Sequence, residues 1–204
     1  LGEQHGIVMV ADEVITGFGR IGDWCGSRHW GVKPDMMTMA KGITSAYFPF
    51  GVCMVSENIA KRFEQGDSVT GNIGHGYTYS AHPVGAAAAL ACIKESQRLN
   101  IQTSAKVRGE QLYKGLEKLK EKYTFIGDVR GGHGLMAGIE LVSDVENKTP
   151  MGSENMNKIS AKIFKSGAMV RVGGHNILMS PPCIITEEEV SQVLNALDKG
   201  FSIL

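Results

Sequence analysis

The sequence has no excess of either charge, because its 204 residues include 21 lysine and arginine residues and 21 aspartate and glutamate residues. A nucleic-acid-binding protein usually carries a basic excess, so this function class is disfavoured. No apolar run approaches the roughly 18 residues of a membrane span, and the first residues lack the basic start and apolar core of a signal peptide. We therefore expect a cytoplasmic protein that binds neither nucleic acid nor membrane.

Cysteine is scarce as well. The four cysteines lie far apart and form no C-x-x-C pair, and the six histidines show no metal-ligand spacing. A zinc site and a disulfide framework are both disfavoured, and scattered free thiols are typical of a cytosolic protein. We expect no metal ion in the site.

The chain also lacks an initiator methionine. Residues 1–6 resemble the end of a helix closed by Gly6, and an apolar strand follows at once. We expect this sequence to be a piece of a longer protein.

Apolar runs alternate with helical patterns, which predicts an α/β fold. Short apolar runs predict strands buried on both faces; they cover residues 7–11, 36–40 and 51–55. Helices are predicted at about 57–65, from Pro83 onward, at 102–123, at 153–166 and from Thr186, and two strands should flank the Gly-Gly turn at 173–174. The Ala-rich start of the helix after Pro83 should be buried, residues 66–76 should be flexible, and a domain change is expected near residue 100.

The stretch GFGRIG matches the G-x-G-x-x-G spacing of a dinucleotide-binding turn. That motif should directly follow a strand, open a helix and precede an acidic residue by about 20 positions. Here residues 12–16 intervene after the strand, the segment after Gly22 has no helical period, and no carboxylate lies near position 42. The glycines are better explained by a tight loop in which backbone passes close to another part of the chain.

Asp12 stands at the carboxyl end of the first predicted strand, which is where open α/β sheets bind ligands. Strand alternation places Asp12 and Val14 on one face and Glu13 on the other, where we expect Glu13 to form a structural ion pair. A carboxylate beside a branched apolar side chain suits a flat cationic heterocycle. The alternatives for Asp12 are a helix N-cap and a loop salt bridge.

Lys41 stands at the end of the next predicted strand, one crossover away from Asp12. In an apolar setting a lysine can act as a nucleophilic amine. A Schiff-base lysine together with an acid on a ring nitrogen is the constellation that binds pyridoxal phosphate. The alternative for Lys41 is an ordinary solvated side chain.

The same residues resemble the class III pyridoxal-phosphate-dependent aminotransferases. The motifs that carry the resemblance are DEVITGFGRIG, PDMMTMAKGITS, HGYTYSAHPVGAAAAL, VRGGHGLMAGIEL and SPPCIITEEEV. The sequence is most similar to the branch that uses β-alanine, ω-amino acids or amines with pyruvate. The resemblance covers essentially the whole chain but only about the C-terminal half of the family's usual length.

The resemblance implies a role for five residues. Asp12 would bind the pyridine nitrogen, Val14 would pack on the ring, and Lys41 would form the Schiff base and shuttle the proton. Thr78 would bind the cofactor phosphate of the other subunit in a homodimer, and Arg171 would bind a substrate carboxylate. From the sequence alone, Thr78 could instead be an ordinary helix cap and Arg171 a surface arginine.

The resemblance also implies the fold, which is fold type I. Residues 1–99 would be the C-terminal part of the large cofactor domain, and residues 100–204 would be the small C-terminal α+β domain. Ile15 stands where many members have glutamine, as in the γ-aminobutyrate and ornithine enzymes, which weighs against those substrates. Arg130 and His82 are expected to have structural roles, His82 as a hydrogen-bonding residue at a helix start.

The implied reaction is transfer of an amino group from an ω-amino acid or amine to a keto acid such as pyruvate, in a homodimer with shared active sites. An aminomutase, a dialkylglycine-type decarboxylase and a catalytically silent fragment of the transaminase remain as alternatives.

Overall fold

The computed structural model describes residues 2–67 and 71–204, so residues 68–70 of the predicted flexible stretch lie outside the described residues. The chain contains seven α-helices in these ranges: α1 Gly2–His5, α2 Gly26–His29, α3 Glu57–Glu64, α4 Pro83–Arg98, α5 Ile101–Lys122, α6 Ser153–Lys165 and α7 Glu187–Phe201. The strands there are β1 Val10–Asp12, β2 Met36–Met39, β3 Val52–Val55, β4 Ile126–Arg130, β5 Ala137–Asp144, β6 Thr149–Pro150, β7 Arg171–Gly173 and β8 Asn176–Met179, and one 3₁₀ turn spans Lys41–Ile43.

The helices follow the sequence patterns closely. Each helix predicted from apolar periodicity begins and ends within a few residues of its expected position. The capping box of α7 is present, since the Thr186 hydroxyl accepts the Glu189 N–H and the Glu189 carboxylate accepts the Thr186 N–H. None of the helices in the described part of the chain is long and apolar enough to cross a membrane.

The chain forms two compact units, one made of residues 1–19 and 23–100 and the other of residues 20–22 and 101–204. The assignment of residues 1–99 to a cofactor domain and of residues 100–204 to a small domain stays a prediction.

The first unit contains a three-stranded sheet in the order β1-β2-β3. Strands β1 and β2 are parallel, with Val10 opposite Met36 and Asp12 opposite Thr38, and β3 runs antiparallel to β2. Because β1 and β2 run in the same direction, both end at the same edge of the sheet. The residues that follow Asp12 and Met39 therefore emerge side by side.

The expectation that these strands are buried on both faces is wrong for this chain. Met9 and Val10 are about half exposed, at 47% and 54%, and most of β3 is exposed too. The start of α4 is likewise exposed rather than buried, with only Gly85 and Ala89 of the helix inaccessible. The apolar composition of these segments suits covering layers on both faces, but the described residues of the chain cover them only in part.

The second unit holds an antiparallel sheet in the order β4-β5-β8-β7, with β6 paired to β5. The hydrophobic core of this unit is formed by the sheet together with helices α5, α6 and α7. Each helix is amphipathic and buries its apolar face in this core. Phe201 of α7 is fully buried and its ring contacts those of Tyr123 and Phe125.

Candidate functional site

The carboxylate of Asp12 lies at the end of β1 and accepts hydrogen bonds through one of its two oxygens. Its Oδ1 atom accepts the backbone N–H of Val14 at 3.0 Å and the hydroxyl of Thr38 at 3.3 Å. Thr38 reaches Asp12 because the two residues are register partners in neighbouring parallel strands. Asp12 itself is exposed, and Val14 beside it is half buried.

Lys41 begins the 3₁₀ turn that follows β2. Its φ of +45° lies in the left-handed region that non-glycine residues seldom adopt, and such backbone strain is often found at functional sites. The side chain is exposed, so the apolar setting predicted for Lys41 is not supplied by this chain. The sheet edge nevertheless brings this amine and the Asp12 carboxylate to neighbouring strand ends.

The glycine-rich loop packs against the turn that carries Lys41. A Cβ atom added to Gly42 would lie 2.9 Å from the Cβ of Phe18, so only glycine fits there. Gly19 and Gly22 have φ values of +99° and +80°, which the tight turn requires. The glycines of GFGRIG therefore serve a tight loop, in which Phe18 packs beside the Lys41 turn, and not a dinucleotide-binding turn.

Glu13 is the most buried charged residue of this region, with 2% exposure. Its carboxylate accepts the backbone N–H groups of Gly26 and Ser27, each at 2.6 Å, and the hydroxyl of Thr16. The predicted ion pair is wrong, because backbone and hydroxyl donors satisfy the carboxylate instead. Burial raises the pKa of Glu13, but the hydrogen bonds from Thr16, Ser27 and Gly26 outweigh burial and hold the pKa below its ordinary value.

Thr78 lies exposed in a turn that leads into α4. The helix cap is supplied by His82, whose Nδ1 accepts the Val84 N–H at 3.2 Å, which confirms the structural role expected of His82. The alternative of Thr78 as the cap of α4 is thereby removed. The body of α4 packs against the 3₁₀ turn, where the Cys92 thiol donates to the Gly42 carbonyl at 3.5 Å.

Arg171 lies in the second unit, at the first position of β7. Its side chain is exposed and, among the described residues, has no ion-pair partner. It lines a cavity of about 390 Å³ whose other walls are mainly apolar, including Leu112, Ile185 and Val193. A guanidinium at the margin of an apolar cavity suits a ligand that has a carboxylate and an apolar part.

Arg130 pairs with the carboxylates of Asp128 and Glu140, which accords with the structural role expected of it. The guanidinium of Arg130 is therefore already paired, whereas that of Arg171 has no acidic partner among the described residues.

The sequence did not predict Thr38 as part of the site. Its only signal was a single hydroxyl in the otherwise apolar run MMTM, three residues before Lys41. Whether that hydroxyl meets Asp12 depends on the register of two strands that are far apart in the chain, which local sequence does not encode.

Comparison with known proteins agrees with the geometry. A family model described as "Aminotransferase class-III" matches residues 1–201. An uncharacterized aminotransferase of Sinorhizobium fredii is 38% identical over 97% of this chain and 43% of its own length. The mitochondrial gamma-aminobutyrate transaminase 1 of Oryza sativa subsp. indica is 37% identical over 95% of this chain and 37% of its own length.

Solved structures give the same result. An amine transaminase from an uncultivated Pseudomonas species, in a PLP-bound form, superposes with a TM-score of 0.95 at 40% identity, over 99% of this chain and 46% of its own. An (S)-enantioselective omega-transaminase from Thermomicrobium roseum gives a TM-score of 0.91 at 36% identity, over 99% of this chain and 44% of its own. These matches confirm the predicted α/β fold of fold type I.

The chain spans less than half the length of the relatives it matches. Nearly all of its own length is nevertheless matched by one family, over residues 1–201. The chain therefore belongs to the class III aminotransferases.

Proposed function

We propose that the chain carries the lysine and the ring-nitrogen acid of a transaminase that moves an amino group from an ω-amino acid or amine to a keto acid such as pyruvate. The observation that carries the proposal is the parallel pairing of β1 and β2, which brings Asp12 and Lys41 to one edge of the sheet. An amine and a carboxylate at that edge are the two groups that hold a pyridine aldehyde.

Family membership and the PLP-bound neighbour indicate pyridoxal phosphate as the cofactor. The donor set fits this group: Asp12 keeps one oxygen for a ring nitrogen, Lys41 has an exposed amine, and Val14 has a half-buried apolar side chain beside the acid. When bound, pyridoxal phosphate withdraws electrons from the substrate's Cα as the proton on that carbon leaves.

Three residues of the chain would bind the cofactor and move the proton. The Asp12 carboxylate would bind the ring nitrogen and keep its proton in place, and the Val14 side chain would pack on the ring face. Lys41 would hold the aldehyde carbon through its Nζ atom, in a C=N bond formed with release of water. Once the substrate's amine has displaced it from that carbon, the free Nζ amine would take up the proton that leaves the substrate's Cα. The support for these roles is the position of each side chain at the sheet edge.

We assign the substrate carboxylate to Arg171. A guanidinium binds a carboxylate through two parallel hydrogen bonds, and Arg171 has no competing acidic partner in the described chain. The apolar cavity that Arg171 lines suits the carbon skeleton of such a substrate.

The proposed amino donors are amines and ω-amino acids. Ile15 supports this class, because an apolar side chain stands where the resemblance places glutamine in γ-aminobutyrate and ornithine enzymes. The Pseudomonas neighbour is described as an amine transaminase. Among the ω-amino acids, γ-aminobutyrate is favoured by the gamma-aminobutyrate transaminases among the relatives, whereas Ile15 weighs against it.

The proposed assembly is a cytoplasmic homodimer with shared active sites, in which Thr78 binds the cofactor phosphate of the other subunit. Thr78 suits this role because its hydroxyl is exposed just ahead of the 16-residue helix α4, whose N-terminal end favours anions. Residues 1–99 belong to the cofactor domain and residues 100–204 to the small domain in this proposal.

Two other reactions use the same residues, namely an intramolecular amino shift and a decarboxylation. A product assay separates them, because transamination yields alanine from pyruvate without release of carbon dioxide. A catalytically silent fragment would give none of these products.

The test of the proposal is trapping of the cofactor on the full-length protein. The protein is incubated with pyridoxal phosphate, reduced with sodium borohydride, digested and analysed by mass spectrometry. We expect a pyridoxyl group on the peptide that contains Lys41, and Lys41→Ala should lose both the label and the absorbance of bound cofactor.

The matched control is Lys33→Ala, which removes another exposed lysine of the first unit and should leave the label on Lys41. A label on other lysines in preference to Lys41 would refute the assignment, and so would the absence of any label.

A further inference from the structure

The two oxygens of Asp12 have different surroundings. Oδ1 accepts two hydrogen bonds, from the Val14 N–H at 3.0 Å and from the Thr38 hydroxyl at 3.3 Å. Oδ2 receives none from any residue in the ranges 2–67 and 71–204. One oxygen is thus bound by the protein, and the other is available to a ligand.

The two donors fix the carboxylate in different ways. The Val14 N–H is a local donor two residues along the chain, a contact that many aspartates make with their own turn. The Thr38 hydroxyl comes from the neighbouring strand, at the position directly opposite Asp12. A second donor on the same oxygen, from another strand, selects one orientation of the carboxylate plane among those that the local contact allows.

The chemistry of the second donor also matters. A hydroxyl is neutral, so it orients the carboxylate without cancelling its charge. A lysine or arginine at position 38 would form an ion pair and compete with a cationic ligand. In the described part of the chain Asp12 has no ion-pair partner, so no cationic side chain neutralises its carboxylate.

We infer that Thr38 is a positioning residue, which holds Asp12 by Oδ1 so that Oδ2 faces the protonated ring nitrogen of the cofactor. The inference rests on the proposed function. Thr38 suits the position because it is the only residue of β2 with a hydrogen-bonding side chain, and its branched carbon still fits a strand.

The test compares the full-length protein with its Thr38→Val and Thr38→Ser variants. Valine keeps the shape of threonine and removes the hydroxyl, whereas serine keeps the hydroxyl. Dissociation constants are measured by cofactor fluorescence for pyridoxal phosphate and for its 1-deaza analogue, in which CH replaces the ring nitrogen.

We expect Thr38→Val to weaken pyridoxal phosphate binding about three- to tenfold, in the range of one ordinary hydrogen bond. Thr38→Ser should restore most of the affinity. Binding of the deaza analogue should be the same in all three proteins, because that analogue has no nitrogen for Asp12 to meet.

The matched control is Thr124→Val, which makes the same change at an exposed threonine of the second unit and should leave both affinities unchanged. Equal loss of affinity for both cofactors in Thr38→Val would mean a structural role and overturn the inference, as would no loss for either. Failure of the unmodified protein to bind pyridoxal phosphate would overturn the proposed function as well, so the two failures are distinguishable.

Discussion

Glu13→Gln should strongly destabilise the first unit, although the two side chains have nearly the same shape. Both carboxylate oxygens of Glu13 are used as acceptors, one by the Ser27 N–H and the other by the Gly26 N–H and the Thr16 hydroxyl. Glutamine has one oxygen and one NH₂ group, so one of these positions would present a donor to a donor. At least one buried N–H group is then left without an acceptor.

The cost follows from that lost acceptor. An unsatisfied buried donor costs about 1–3 kcal/mol, and the loss of the charge weakens the remaining bonds, so we expect a loss of about 2–3 kcal/mol. With a urea dependence of about 1–3 kcal/mol per molar, the unfolding midpoint should fall by about 1 M. Tryptophan emission is the suitable probe, because the two tryptophans, Trp24 and Trp30, flank the N–H groups of Gly26 and Ser27 that this carboxylate accepts.

The effect should depend on pH in a defined direction. The pKa of Glu13 is lowered in the folded chain from the ordinary value of 4.5, so the unfolded chain binds more protons between the two values. The contribution of the carboxylate is fully present above about pH 4.5 and is lost as the pH falls through the folded-state pKa. The difference between wild type and Glu13→Gln should therefore shrink in acid.

The matched control is Glu64→Gln, which makes the same change at an exposed position of α3 and should shift stability by no more than about 0.5 kcal/mol. Equal urea midpoints for Glu13→Gln and wild type at neutral pH would show that the folded chain does not depend on these hydrogen bonds to the Glu13 carboxylate.

Two further predictions concern the second unit. Phe201→Ala should cost about 3–5 kcal/mol, because Phe201 is fully buried against Tyr123 and Phe125, whereas Phe201→Leu should cost less; urea unfolding followed by circular dichroism measures both, and equal costs would contradict the packing argument. Arg171→Gln should raise the KM of the full-length enzyme about 10- to 100-fold for an ω-amino acid donor and leave the KM unchanged for an amine donor that has no carboxylate. The control Arg62→Gln, at another exposed arginine, should alter neither KM, and a parallel rise for both donors would exclude carboxylate recognition.

The helices could be predicted from the sequence because the patterns that indicate them are local. Helical periodicity, the Pro83 start of α4 and the Thr186 capping box all involve residues within a few positions of each other, and these predictions are confirmed. The family motifs are also contiguous, which is why the resemblance was visible at residues 10–45 and is borne out by the match over residues 1–201.

The burial of the first sheet was predicted wrongly for a different reason. The apolar composition of a strand indicates that it is suited to burial. Its actual exposure depends on which helices or sheets cover its two faces. The residues described here leave β1 and β3 largely uncovered, so their composition and their accessibility disagree.

Local sequence was enough to predict the main helices, the strand segments, the family and the two candidate chemical groups, Asp12 and Lys41. It could not predict that Thr38 lies opposite Asp12, that Glu13 accepts backbone N–H groups instead of pairing with a cation, or that Phe18 packs on Gly42. These contacts depend on strand register and loop packing, which join residues distant in the chain, and many registers are compatible with the same local pattern.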